Sequence, residues 1–88
     1  MLFAVHYETS VENRDASLER FLSLGNAAPS GVKVIGHWAS VTLLEGWGII
    51  EADDVQDLGA MFRAWTDLNI NHITPVLDED GVRKLMAK

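Results

Sequence analysis

The chain has 88 residues, enough for a single domain over residues 1–88, with seven basic and 13 acidic residues and a formal net charge of −6. That sign disfavours nucleic acid and anionic membranes as partners, because both attract basic surfaces. The absence of cysteine excludes disulfides, thiolate nucleophiles and cysteine metal sites. No apolar run approaches the roughly 20 residues that span a bilayer, and the first residues do not form a signal peptide, so we expect a soluble, cytoplasmic protein.

The first part of the chain predicts a strand followed by a helix. Leu2–Glu8 is filled with β-branched and aromatic residues, which is typical of a strand. Leu18, Phe21 and Leu22 then follow at spacings that place them on one helix face. Gly25 is the expected end of this helix, because glycine is common directly after a helix.

The middle of the chain predicts a β-hairpin and a second helix. Val32–Ala39 and Gly46–Ala52 form two strands joined by a turn within Ser40–Glu45. The second helix begins after the N-cap candidates Asp53 and Asp54. The residues predicted on its apolar face are Val55, Leu58, Met61, Phe62 and Trp65. Gly59 interrupts this helix and predicts a point where the helix backbone lies close to the sheet.

The last part of the chain predicts a fourth strand and a terminal helix. Ile70–Leu77 forms the strand, and Pro75 inside it indicates a sheet edge because proline cannot donate to the ladder. Asp78–Lys88 begins with acidic residues and ends with basic ones. This order is favoured by the helix dipole.

The element order β-α-β-β-α-β predicts an α+β ferredoxin-like sandwich, with two helices on one face of a four-stranded antiparallel sheet and a short C-terminal helix. A sheet with one solvated face alternates apolar and polar residues, but these strands are apolar on both faces. In the first strand, Phe3 and Val5 occupy one face and Leu2 and Ala4 the other. We therefore predict a homodimer whose open sheet faces cover each other, forming a dimeric α+β barrel.

Nearly the whole chain also resembles a known family. The residues that carry the resemblance are Glu12-Asn13-Arg14, Arg20-Phe21, Pro29-Ser30-Gly31-Val32-Lys33, Gly36-His37-Trp38, Glu51-Ala52-Asp53-Asp54, Trp65-Thr66-Asp67-Leu68 and Thr74-Pro75-Val76-Leu77-Asp78. They are similar to the domain of unknown function 3303 family. The resemblance implies a dimeric α+β-barrel fold, whose superfamily includes cofactor-free monooxygenases, haem-degrading enzymes, isomerases and stress-response proteins. It implies neither an activity nor catalytic residues.

Three strands carry one histidine each, and these imidazoles are the first candidates for a site. Strand alternation places His37 on the same face as Lys33 and Ile35. Whether His6 and His72 share that face depends on the strand register, which these patterns do not specify.

We expect a small apolar or aromatic molecule to bind in the barrel cavity. The candidate ligand-binding residues are His6, Tyr7, His37, Trp47, Glu51 and His72. His6 or His72 in a partly dry barrel can act as a general base near neutral pH. Tyr7, Trp38 and Trp47 would then shape the apolar walls. The alternative for the two tryptophans is packing within the sheet and the dimer interface.

Two further interpretations stay open, and the sequence does not decide whether the protein is an enzyme. No cofactor is expected. If His6, His37 and His72 converged near Glu8 or Glu51, they would form a workable set of metal ligands, although their spacing matches no known metal pattern. The other interpretation is a non-enzymatic accessory protein whose acidic surface meets a basic partner.

Overall fold

The alternating and apolar strand patterns produce one antiparallel sheet with helices on one face. The computed structural model describes residues 1–87. Its elements are β1 (Leu2–Thr9), α1 (Arg14–Leu24), β2 (Val32–Ala39), β3 (Glu45–Ala52), α2 (Val55–Arg63), β4 (Asn69–Val76) and α3 (Glu79–Met86). The strand order is β2-β3-β1-β4, and all neighbours are antiparallel. The predicted ferredoxin-like α+β fold is therefore confirmed.

The apolar core lies between the sheet and α2. Its buried apolar side chains are Phe3, Val5, Val32, Ile50, Ala52, Leu58, Met61, Phe62 and Trp65. Asp54 caps α2, because its side chain accepts a hydrogen bond from the backbone N–H of Gln56 at 2.9 Å. Val55, predicted on the apolar face, is instead exposed to solvent in the first turn of α2.

Helix α1 crosses the same face of the sheet but buries little of its own surface. Ser17 is its buried residue, and Leu22, predicted on the apolar face, points into solvent. The helix is tied down by Arg20, which donates to the carbonyl of Ala64 at 2.7 Å and to both carboxylate oxygens of Asp67 at 2.6 and 2.9 Å. A bidentate pair of this kind fixes orientation, so Arg20 ties α1 to the segment that follows α2.

The ends of the chain follow the sequence patterns closely. β4 lies at an edge of the sheet, as Pro75 indicated. Helix α3 begins after Asp78, whose side chain accepts from the backbone N–H of Gly81 at 2.7 Å. It buries no residue, and the predicted end of this helix at Lys88 lies outside the described residues.

The prediction that Gly59 marks a close approach between α2 and the sheet is wrong. Gly59 is exposed on the outer side of α2, and a Cβ built there meets no atom within 4 Å. The buried face of α2 is formed by Leu58, Met61 and Phe62 instead. Gly59 is thus an exposed glycine inside a helix, which costs conformational entropy without giving a contact in return.

Replacing Gly59 with alanine is expected to stabilise the fold by about 0.5–1 kcal/mol, because alanine restricts the unfolded chain and fits the helix. The measurement is the free energy of unfolding in urea. The matched control is Ala60→Gly at the neighbouring exposed position, which should lose a similar amount. A loss of stability in Gly59→Ala would show that the helix backbone is in close contact there after all.

Candidate ligand cavity and the opposite sheet face

A β-bulge in β2 decides which face of the sheet His37 occupies. Val34 pairs with Ile50, but the next pair is Gly36 with Ile49, so β2 contains one extra residue, Ile35. Each extra residue reverses the face of the side chains that follow. His37 therefore lies opposite Gly48 and faces the helices, and the prediction that it shares a face with Lys33 and Ile35 is wrong.

On the helix-covered face, the bulge brings His37 to Tyr7. The Tyr7 hydroxyl and His37 Nε2 are hydrogen-bonded at 2.8 Å. The Tyr7 ring lies across Gly46, where any Cβ would collide with it. The Phe21 ring of α1 meets the His37 ring edge to face, with 5.7 Å between centroids. Strands β1 and β2 and helix α1 thus contribute one aromatic side chain each to the same cluster.

This cluster borders a cavity of about 240 Å³ between the sheet and the two helices α1 and α2. Apolar residues from three strands, from α2 and from the turn after α2 form much of the wall, among them Val5, Val34, Ile50, Met61, Phe62 and Trp65. Phe21, His37 and Leu43 line the cavity and are themselves partly exposed. These three residues therefore mark its opening to solvent.

Partial burial favours the neutral forms of both members of the Tyr7–His37 pair. It raises the pKa of Tyr7 above its ordinary value, because the phenolate would be poorly solvated. It lowers the pKa of His37, because the imidazolium would be poorly solvated in the same place. The cavity therefore offers an uncharged hydrogen-bonding pair on an apolar wall.

Two asparagines of β4 also face the cavity and were not among the predicted site residues. Asn69 is buried and its Oδ1 accepts from the Ser17 hydroxyl at 3.1 Å. Asn71 pairs across the strands with Tyr7, and its buried Nδ2 has no hydrogen-bond partner within residues 1–87. The sequence did contain a signal for them, because strand alternation places Asn69 and Asn71 on the same face as Ile73. Ile73 packs against the core.

The opposite face of the sheet carries the other two histidines. The His6 ring is stacked between Trp47 and His72, with centroid distances of 5.5 and 5.8 Å. His6 Nε2 is hydrogen-bonded to Glu45 at 3.0 Å, and His72 Nε2 lies 3.9 Å from a carboxylate oxygen of Glu8. No helix of the described chain covers this aromatic row, which we call the open-face row (His6, Trp47 and His72).

The predicted site residues are therefore divided between two surfaces. Tyr7 and His37 line the cavity, whereas His6, Trp47 and His72 lie on the open face. Glu51 also lies there, exposed and opposite Lys33. Because the sheet separates His37 from the other two histidines, the three do not form one ligand set, and residues 1–87 contain no cluster of three potential metal ligands.

The predicted apolar wall of Tyr7, Trp38 and Trp47 does not form either. Trp38 pairs with Trp47 across β2 and β3, and both lie on the face opposite to Tyr7. The Trp38 ring covers Gly36, where a Cβ would collide with it. The aromatic residues that join Tyr7 at the cavity are Phe21, Phe62 and Trp65 instead.

Comparisons with known proteins give a family and a structural likeness. A family model described as "Domain of unknown function (DUF3303)" matches residues 1–88, which confirms the resemblance seen in the sequence. A similar solved structure is that of an uncharacterized NIPSNAP domain protein from Burkholderia xenovorans, with 13% identity, a TM-score of 0.49, and coverage of 90% of this chain and 97% of that chain. No curated protein matches. None of the helices within residues 1–87 has the length and apolar character needed to cross a membrane.

The lowered pKa of His37 predicts that the protein loses stability as the pH falls. Above the ordinary pKa of histidine, about 6.5, His37 is neutral in both the folded and unfolded states. Below it, the unfolded state takes up the proton first, so the free energy of unfolding decreases. Urea unfolding between about pH 7 and pH 5 should show a smaller decrease for His37→Gln than for the wild type. Equal pH dependence in the two proteins would contradict the lowered pKa of His37.

Proposed function

The chain belongs to the domain of unknown function 3303 family. We propose that it binds a small apolar or aromatic molecule in the cavity between its sheet and helices. The observation that carries the proposal is the composition of this cavity, in which apolar walls surround the hydrogen-bonded Tyr7–His37 pair. Binding sites for small molecules commonly combine such walls with a few placed polar groups.

The size of the cavity supports a ligand of one or two rings. Its volume is about 240 Å³, whereas an apolar cavity of about 150 Å³ accepts benzene. Drug-sized molecules occupy sites of about 300–1,000 Å³, so a bicyclic molecule is near the upper limit here.

The position of His37 would allow it to contact a ligand as the ligand enters the cavity and to orient the ligand once it is bound. It lies at the opening beside Phe21 and Leu43, so a ligand entering there passes an aromatic edge and a neutral imidazole. Of the three histidines, His37 is the one that could exchange a proton with a molecule in the cavity. The predicted general bases His6 and His72 lie on the other side of the sheet.

Indane, a bicyclic hydrocarbon, is a suitable probe of this proposal. Its addition to the ¹⁵N-labelled protein should shift the amide resonances of cavity residues such as His37, Gly48 and Asn71. Ala39 lines the cavity and is exposed, so Ala39→Phe should reduce the cavity volume and lower the affinity for indane by about tenfold or more, since about 1.4 kcal/mol of lost binding corresponds to that factor.

The matched control is Ala60→Phe, which adds the same side chain on the outer side of α2 and should leave indane binding unchanged. The proposal is contradicted if indane causes no shifts, or if the shifts map to the open face of the sheet rather than to the cavity.

We also propose that the open sheet face binds a second copy of this chain. The face exposes several large apolar side chains, namely Ile35, Trp38, Trp47 and Ile70. Four strands of eight residues give a face of about 19 by 27 Å at ordinary strand spacing and rise. An ordinary interface of about 800 Å² of accessible surface per partner would therefore need the whole of this face. In a two-fold dimer each copy would cover the same face of the other.

Sedimentation equilibrium tests this second proposal. The wild-type protein should sediment at twice the chain mass, and Trp47→Glu should weaken the dimer by more than tenfold, because it places a charge in the centre of the face. Leu22→Glu on the outer side of α1 is the matched control and should stay dimeric. A monomeric wild type, or a Trp47→Glu variant that associates normally, would refute the proposal.

A further inference from the structure

We infer that the molecule bound in the cavity carries a neutral acceptor oxygen, of the carbonyl type, that receives a hydrogen bond from Nδ2 of Asn71. This inference rests on the proposed ligand-binding function and specifies the chemistry of the ligand. Asn71 lines the cavity, and its Nδ2 is buried without a hydrogen-bond partner within residues 1–87. A buried donor without an acceptor is costly and uncommon.

Other polar groups at the cavity already have partners. The Tyr7 hydroxyl is bonded to His37, and the Ser17 hydroxyl donates to Asn69. The Thr9 hydroxyl donates to the carbonyl of Leu68 at 3.2 Å. Against this background Asn71 stands out, because its donor is the group that an incoming acceptor can satisfy without breaking a hydrogen bond of the protein.

The surroundings favour a neutral oxygen over a carboxylate. Arg14 is the cationic side chain among the cavity-lining residues, and its Nε lies 3.6 Å from a carboxylate oxygen of Asp15. An acidic neighbour therefore partly offsets its charge. The Tyr7–His37 pair is uncharged, and a chain with a net charge of −6 does not attract anions.

The strand register places the acceptor site next to the aromatic cluster. Asn71 and Tyr7 are direct cross-strand partners on the helix-covered face, and such side chains lie about 5 Å apart at their Cβ atoms. The apolar body of the ligand would then contact Phe62 and Met61 from α2. An aromatic ketone has this combination of one acceptor oxygen and a flat apolar body.

The test compares 1-indanone with indane, two probes of the same ring skeleton that differ in one carbonyl group. In the wild type, 1-indanone should shift the side-chain NH₂ resonances of Asn71, and indane should not do so. In Asn71→Leu, the affinity for 1-indanone relative to indane should fall by about two- to tenfold, the value of one neutral hydrogen bond. Asn71→Ala provides the same comparison if the leucine variant does not fold. His72→Leu, next in sequence but on the open face, should leave the ratio unchanged.

The outcomes separate this inference from the proposed function. If both probes bind and the affinity ratio is the same in the wild type and the Asn71 variants, the assigned role of Asn71 is wrong while ligand binding stands. If neither probe binds the wild type, both proposals fail. A reduced ratio in the Asn71 variants alone supports the inference.

Discussion

The β-bulge in β2 is the constraint on which the arrangement of side chains depends. One additional residue between Val34 and Gly36 reverses the faces of all later positions of this strand. It turns His37 toward Tyr7 and the helices, and it turns Trp38 toward Trp47 on the open face. With regular pairing the cavity would be bordered by a tryptophan, and the imidazole would lie on the other side of the sheet.

The two faces of the sheet consequently have different chemistry. The helix-covered face combines apolar walls with neutral polar groups, because burial there disfavours the charged forms of Tyr7 and His37. The open face carries stacked rings whose imidazoles lie close to carboxylates, as His6 does with Glu45. The first surface suits a small uncharged molecule. The second is an extended, partly apolar surface whose size suits another protein chain.

Helix α1 explains why there is a cavity at all. It is tied to the loop after α2 through Arg20 and Asp67 on one side, and it places the small residue Ser17 toward the sheet. A helix with large apolar residues at these positions would fill the space beneath it. The cavity therefore results from the choice of residues on α1 rather than from a gap between poorly matched elements.

The sequence was sufficient for the elements and for the fold, because these depend on local periodicity and on caps. Val32–Ala39 has its predicted bounds, and Asp54 caps α2 as expected. The site was less predictable, because the alternation rule assumes regular strand pairing. It assigns the wrong face to every residue that follows an inserted one, here Ile35. Gly36 was the local signal for the bulge, since glycine within a strand often marks one. Asn71 was hidden for another reason: a polar residue in a strand is ordinarily assigned to solvent.

The most direct test of this account is a nuclear Overhauser measurement on the free protein in solution. The bulge predicts cross-peaks between the ring protons of His37 and those of Tyr7 and Phe21, and separate cross-peaks between His6 and His72. If His37 instead gives cross-peaks to Trp47 or to the side chain of Lys33, then β2 pairs without the bulge. His37 would then not line the cavity between the sheet and the helices.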